Sequence, residues 1–194
     1  LNCYINFNYT YFMKKSIITL LKQPIKDNTN RSANPPVVRA STILFNTMQE
    51  LQAHELMIKQ HKKVSHYTYG RYGSTTTIEL ENILKELEQA YHVFLTGTGF
   101  GGIALALMSL CRPGDEILVS DNVYGPTKEI SEKLLKEFNI NARFYDPESF
   151  EDLKKKVTKK TKIILVENPG SITFEFQDLS KIVNLAKKKK IYTL

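Results

Sequence analysis

The sequence predicts an α/β domain built on a mostly parallel sheet. Two observations lead there. From residue 91 onward, short apolar runs alternate with stretches of helical length, the order that builds a parallel sheet. Turn signals such as Arg112-Pro113-Gly114-Asp115 punctuate that alternation. In a sheet of this kind, functional residues gather in the loops at the carboxyl ends of the strands.

Each element follows from local pattern. The chain opens with Leu1, and Asn2 to Phe12 is aromatic and asparagine-rich without periodicity. Met13-Lys14-Lys15 reads as a natural start, so residues 1–12 are expected to be an upstream translation artefact or disordered. Lys14-Lys15 and the apolar Ser16 to Leu21 mimic a signal peptide. That run ends at Lys22, short of the roughly 7–15 residues an apolar signal core needs. Residues 22–40 carry Pro24, Pro35 and Pro36 and read as an extended arm. Thr47 to Lys63 is an amphipathic helix candidate, which makes residues 13–66 an arm and helix. Tyr67 to Ser74 is a tyrosine- and glycine-rich loop. Thr75-Thr76-Thr77 caps a helix carrying Ile78, Ile83, Leu84 and Leu87, with Glu79 and Glu81 expected in its first turn. Strands are expected at 92–95, 116–120, 142–145 and 162–167, with another starting at Ile191. Helices are expected at 100–111, 126–138, 149–157 and 178–190. Ile103 to Met108 is apolar throughout and reads as a buried helix.

Bulk properties narrow the classes. A chain of 194 residues, 42% apolar and 24% charged, has ordinary globular composition. Net charge is +7, but the lysines sit in short runs (Lys154 to Lys156, Lys159-Lys160, Lys187 to Lys190) without an arginine-rich, aromatic-interleaved patch. Solvated helix faces account for that, and neither nucleic acid nor membrane is expected as a partner. Cys3 and Cys111 make no disulfide framework, and Cys111 reads as a small buried hydrophobe. This usage fits the cytoplasm. His54, His61, His66 and His92 lack zinc spacing, so no metal is expected.

The most informative stretch is Thr96-Gly97-Thr98-Gly99-Phe100-Gly101-Gly102, between a strand-like run and an apolar helix. Free backbone N–H groups at a helix start, with the positive end of the helix dipole, suit a phosphate. Gly97, Gly99 and Gly102 match G-x-G-x-x-G, and Asp121 lies 24 residues beyond Gly97, so a nicotinamide-dinucleotide domain is one reading. A tight turn with no ligand is another. No Lys-Ser or Lys-Thr follows the glycines, which excludes a Walker-type loop.

Four segments in order add a resemblance. They are Asn34-Pro35-Pro36-Val37-Val38-Arg39-Ala40-Ser41-Thr42 with Tyr69-Gly70-Arg71; Thr98-Gly99-Phe100; Asp121-Asn122-Val123-Tyr124-Gly125-Pro126-Thr127; and Glu167-Asn168-Pro169-Gly170-Ser171-Ile172-Thr173. Together they resemble the pyridoxal-phosphate enzymes of cysteine and methionine metabolism, from about Pro35 to Leu194. The last segment is closest to the cystathionine β-lyases. The resemblance implies the front part of the large domain of a fold-type I, aspartate-aminotransferase-like enzyme. Residues 67–194 would be the first half of that domain.

It also implies roles. Tyr69 and Arg71 would bind the cofactor phosphate of a neighbouring subunit, in a homodimer or homotetramer. The N–H groups of Gly99 and Phe100 would bind phosphate within the subunit. Tyr124 would stack on the pyridine ring and could join proton transfers. Thr98 and Gly101-Gly102 depart from the family pattern, and Ser171 stands where some relatives have an asparagine that contacts the cofactor. The pyridine-binding aspartate and the Schiff-base lysine of the family have no counterpart in a matching segment. The expectation is a truncated, inactive fragment of a lyase that eliminates cystathionine to homocysteine, pyruvate and ammonia. A γ-synthase or γ-lyase fragment and a non-catalytic remnant stay open beside it.

Overall fold

The computed structural model describes residues 35–60, 62, 64 and 67–194. The expectations for residues 1–34 lie outside them. The chain forms two compact units that divide between Leu95 and Thr96.

In the first unit, Thr47 caps α1 (Met48–Lys59) by accepting the Glu50 N–H at 3.1 Å. No residue of α1 is buried. Thr42 and Tyr69 form an antiparallel bridge, and Gly70 N–H donates to the Ser41 carbonyl at 2.7 Å. A Cβ at position 70 would sit 1.7 Å from the Ala40 carbonyl oxygen, so this approach admits only glycine. α2 (Thr75–Leu87) is capped by Ser74, whose N–H donates to Thr77 Oγ1 at 2.8 Å. Because the cap is Ser74, Glu79 and Glu81 fall beyond the first turn, contrary to the sequence expectation. Partial burial raises the Glu81 pKa, against the lowering effects of His92 and of the Leu95 N–H. That N–H contact bears on the second correction: residues 92–95 form no strand. The run joins no ladder, Leu95 N–H turns to a carboxylate, and Phe94 is 76% exposed.

The second unit is the sheet. α3 (Gly99–Leu110) leads to β1 (Glu116–Ser120). α4 then runs Gly125–Glu129, loosens into a π turn at Ile130–Leu134 and closes at Leu135–Glu137. β2 (Asn141–Tyr145), α5 (Phe150–Lys156), β3 (Thr161–Leu165), α6 (Leu179–Lys189) and β4 (Tyr192–Thr193) follow. The strand order is β2-β1-β3-β4, all parallel, with Val119 opposite both Phe144 and Leu165.

Every residue of β1 is buried, as expected where helices cover both faces. Alternation along the strands splits the core in two. Ile117, Val119, Ile163 and Leu165 pack with Leu107, Cys111, Val123, Leu135 and Ile140 on one face. Leu118 and Ile164 pack with Tyr145, Leu153, Ile182, Ala186 and Ile191 on the other. Each fully buried aliphatic side chain contributes roughly 1.5–3 kcal/mol. α3 is less buried than its composition suggests: Leu107 is enclosed, while Leu105 is 54% exposed. A uniformly apolar helix gives no clue to which stripe meets the sheet.

Candidate functional site at the strand carboxyl ends

β1 and β3 are neighbours, but their onward connections diverge. β1 leads to β2 on one side, and β3 leads to β4 on the other. That divergence opens a crevice beyond their carboxyl ends, where open α/β sheets bind ligands. Two loops meet there, residues 121–124 after β1 and 166–178 after β3.

The loops are interlocked by hydrogen bonds. Ser120 Oγ donates to Asn122 Oδ1 at 2.6 Å, and the Asn122 carbonyl accepts from Ser171 N–H at 2.8 Å. Asn122 Nδ2 donates to the Glu175 carboxylate at 3.3 Å. A Cβ on Gly170 would lie 2.0 Å from Asn122 Nδ2, so the second loop crosses directly over the asparagine. Glu175 also accepts from the Thr173 hydroxyl; that bond is the main cause that holds its carboxyl below the usual range. The Asn168–Pro169 peptide is cis.

Tyr124 stands at the head of α4, with Pro126 in the first turn. Its carbonyl accepts from Thr127 N–H at 2.8 Å, and its own N–H donates to the Glu167 carboxylate at 2.8 Å. The residue is 49% exposed. Asp121 is engaged by Lys128 at 2.5 Å. The nearby Tyr145 phenol is buried, which pushes its pKa well up; it donates to Gln177 Oε1 at 2.8 Å.

The phosphate candidate lies in the same unit. Thr98 caps α3: its Oγ1 accepts from Gly101 N–H at 2.9 Å and its carbonyl from Gly102 N–H at 3.1 Å. Gly99 and Phe100 are then the first two helical residues, whose N–H groups have no acceptor within the helix. A Cβ on Gly97 or Gly99 would meet nothing within 4 Å, so a ligand can come close to this backbone. Two amides with no acceptor in their own helix, at its positive end, and an exposed tyrosine in the same unit fit a phosphorylated aromatic cofactor.

In the first unit, the Arg71 guanidinium lies 5.0 Å from the Tyr69 ring centroid and 5.6 Å from that of Tyr72. Stacking of this kind orients the planar fork that phosphate recognition uses. Cys111 is 3% exposed, and burial pushes its thiol up to about 11, so it supplies no nucleophile. Among the described residues, no cluster of side chains could hold a metal ion, and no helix is long and apolar enough to cross a membrane.

Sequence reasoning missed the buried members of the site, Ser120, Tyr145 and Gln177, and the half-buried Glu175. A serine ending the apolar run Ile117-Leu118-Val119 was the available signal.

The model of the family described as Cys/Met metabolism PLP-dependent enzyme matches residues 18–194. The chain belongs to this family. It is 35% identical over 179 residues to a cystathionine β-lyase of Bordetella avium, covering 90% of this chain and 44% of that one. It is 33% identical over 132 residues to a cystathionine γ-lyase of Bacillus subtilis, covering 67% and 35%. A Campylobacter jejuni crystal structure assigned as an O-acetylhomoserine (thiol)-lyase, holding N′-pyridoxyl-lysine-5′-monophosphate, has a TM-score of 0.81. It is 25% identical, with 92% of this chain and 43% of that chain covered. The chain thus spans less than half the length of the relatives it matches. The fold is the front part of a pyridoxal-phosphate lyase's large parallel-sheet domain, and the family's cofactor is pyridoxal phosphate. Under this assignment Asp121 is a partner of Lys128, and the dinucleotide reading loses the strand it needs before its glycines.

Proposed function

We propose that this chain forms the cofactor-anchoring part of a carbon–sulfur lyase that acts on cystathionine. The observation that carries the reading is the pair of loops locked together beyond β1 and β3, with Tyr124 N–H held by Glu167. The β-lyase-like sequence of residues 167–173 lies in that lock. Pyridoxal phosphate, when bound, supplies an electron sink for a substrate α-carbanion. The amides of Gly99 and Phe100 would bind its phosphate, with Arg71 and Tyr69 adding a second phosphate contact between subunits of a homodimer or homotetramer. The Tyr124 ring would cover one face of the pyridine, and its hydroxyl could hold a proton near the reacting carbon. In the whole reaction the Cβ–S bond of cystathionine breaks, one water molecule is consumed, and homocysteine, pyruvate and ammonia leave. The loops that follow β1, β2 and β3 (residues 121–124, 146–149 and 166–178) contain no lysine. This chain therefore supplies anchoring and ring-facing groups rather than a covalent amine.

The test uses the 194-residue chain. Pyridoxamine phosphate, which lacks the aldehyde that would label surface lysines, should bind saturably and more tightly than nicotinamide dinucleotides. Pyridoxal phosphate with cystathionine should release no thiol above the free-cofactor rate. Tighter dinucleotide binding lost in Asp121→Ala would overturn the assignment. Saturable thiol release would overturn the anchoring role.

A further inference from the structure

We propose that Gln177, acting through Glu167, is the positioning residue for Tyr124. It lies 53 residues further along the chain and in none of the segments that define the family resemblance. The inference rests on the reading of Tyr124 as the residue that faces the cofactor ring.

Gln177 is buried, at 7% exposure, between the carboxyl ends of β1, β2 and β3. Each end of its amide is used. Nε2 donates to Ser120 Oγ at 3.0 Å, at the end of β1, and to the Glu167 carbonyl at 3.1 Å, just past β3. Oε1 accepts from the Tyr145 hydroxyl at 2.8 Å, at the end of β2. Its backbone N–H donates to Asn168 Oδ1 at 2.7 Å. Glutamine fits because it carries two donors and an acceptor on one planar group. A glutamate here would lose both donors and place its charge against the Glu167 carbonyl. A histidine or leucine would leave at least one buried partner unpaired, which costs more than the bond itself contributes.

The amide therefore fixes the backbone of Glu167 from below. Glu167 in turn reaches across the crevice and accepts the Tyr124 N–H. Ser120, held by the same amide, donates to Asn122 Oδ1 two residues before Tyr124. Both approaches to Tyr124, along its own loop and across from the other, thus end on one buried side chain.

The chain contains no tryptophan, so Tyr124→Trp would place a sole tryptophan at the site. In that background, Gln177→Leu and Glu167→Leu should lower tryptophan anisotropy and raise acrylamide quenching well below the melting temperature. Both should weaken pyridoxamine phosphate binding about tenfold, the size expected for losing one charge-assisted hydrogen bond. Glu167→Gln keeps an acceptor for the Tyr124 N–H and should restore both readouts, which a merely structural role would not require. If Gln177→Leu fails to fold, Gln177→Glu, which keeps the volume and the acceptor for the Tyr145 hydroxyl but loses both donors, takes its place in the same comparison. Unchanged anisotropy in folded Leu variants would overturn the positioning role, even where pyridoxamine phosphate still binds. A probe loosened by the Leu variants in a chain that never binds pyridoxamine phosphate would support the positioning role and sink the cofactor reading instead.

Discussion

The two ends of the parallel sheet both carry buried polar clusters, and they are wired differently. At the amino ends, Glu116 is buried and accepts from Thr161 Oγ1 at 2.9 Å, Thr158 Oγ1 at 3.0 Å and Arg143 at 3.1 Å. Its partners belong to β2, β3 and the short turn that joins the helix before β3 to that strand. At the carboxyl ends, Gln177 gathers Ser120, Tyr145 and Glu167, and the network runs outward to the exposed Tyr124. A charge enclosed by donors closes a sheet. An uncharged amide that branches into two loops can hold an open crevice in shape.

The largest effect should come from the closed end. Glu116→Ala removes the acceptor for two hydroxyls and the partner of a guanidinium, and should cost about 3 kcal/mol of stability. Burial raises the Glu116 pKa, but hydrogen bonds from Thr161, Arg143 and Thr158 outweigh it and leave the carboxyl below its ordinary 4.5. A lowered folded pKa stabilises fully above that ordinary value and is lost as pH falls through the folded value. Glu116→Gln should therefore flatten the acid limb of a stability–pH profile while leaving pyridoxamine phosphate affinity at neutral pH unchanged. An altered affinity in the folded variant would break the division between the two ends.

A middle-sized effect is expected where the loops cross. Gly170→Ala puts a Cβ 2.0 Å from Asn122 Nδ2 and should cost about 1–3 kcal/mol by overpacking. Unlike the Glu116 variants, it should also weaken pyridoxamine phosphate binding in the protein that remains folded. Chemical denaturation and ligand titration on the same sample separate the two. A loss of stability with unchanged affinity would show that the crossing is only packing.

The sheet was legible in sequence because its strands are short apolar runs between turn residues: 116–120 matches β1 at both ends, and the others shift by a residue or two. Residues 92–95 carry the same apolar signal but lack a neighbouring strand, and composition does not encode a neighbour. Tyr124 and Gly99 were legible because each sits in a turn opening a helix, a local pattern. Gln177 was not. Its three side-chain partners lie 57, 32 and 10 residues away, and no periodicity marks a residue whose role is to join strand ends. Gly170 belongs to a sequence motif, yet its physical reason, the asparagine beneath it, appears only once β1 and β3 are side by side.

The smallest effect on stability should sharpen the functional half of the comparison most. Gly99 begins α3, its φ lies outside the left-handed region, and a Cβ there would meet no atom of the described residues within 4 Å. Alanine is the better helix former, so Gly99→Ala should leave the melting temperature unchanged or raise stability by up to about 1 kcal/mol. If the Gly99 and Phe100 amides hold the phosphate, the added methyl stands beside the place where it approaches, and pyridoxamine phosphate should bind more weakly. The unphosphorylated pyridoxamine, which does not use those amides, should bind both proteins equally. A variant that is as stable as the parent, with an affinity loss confined to the phosphorylated ligand, assigns the turn to phosphate. Equal losses for both ligands would place the effect on the ring instead, and no loss would reduce the glycines to a tight entry into the helix.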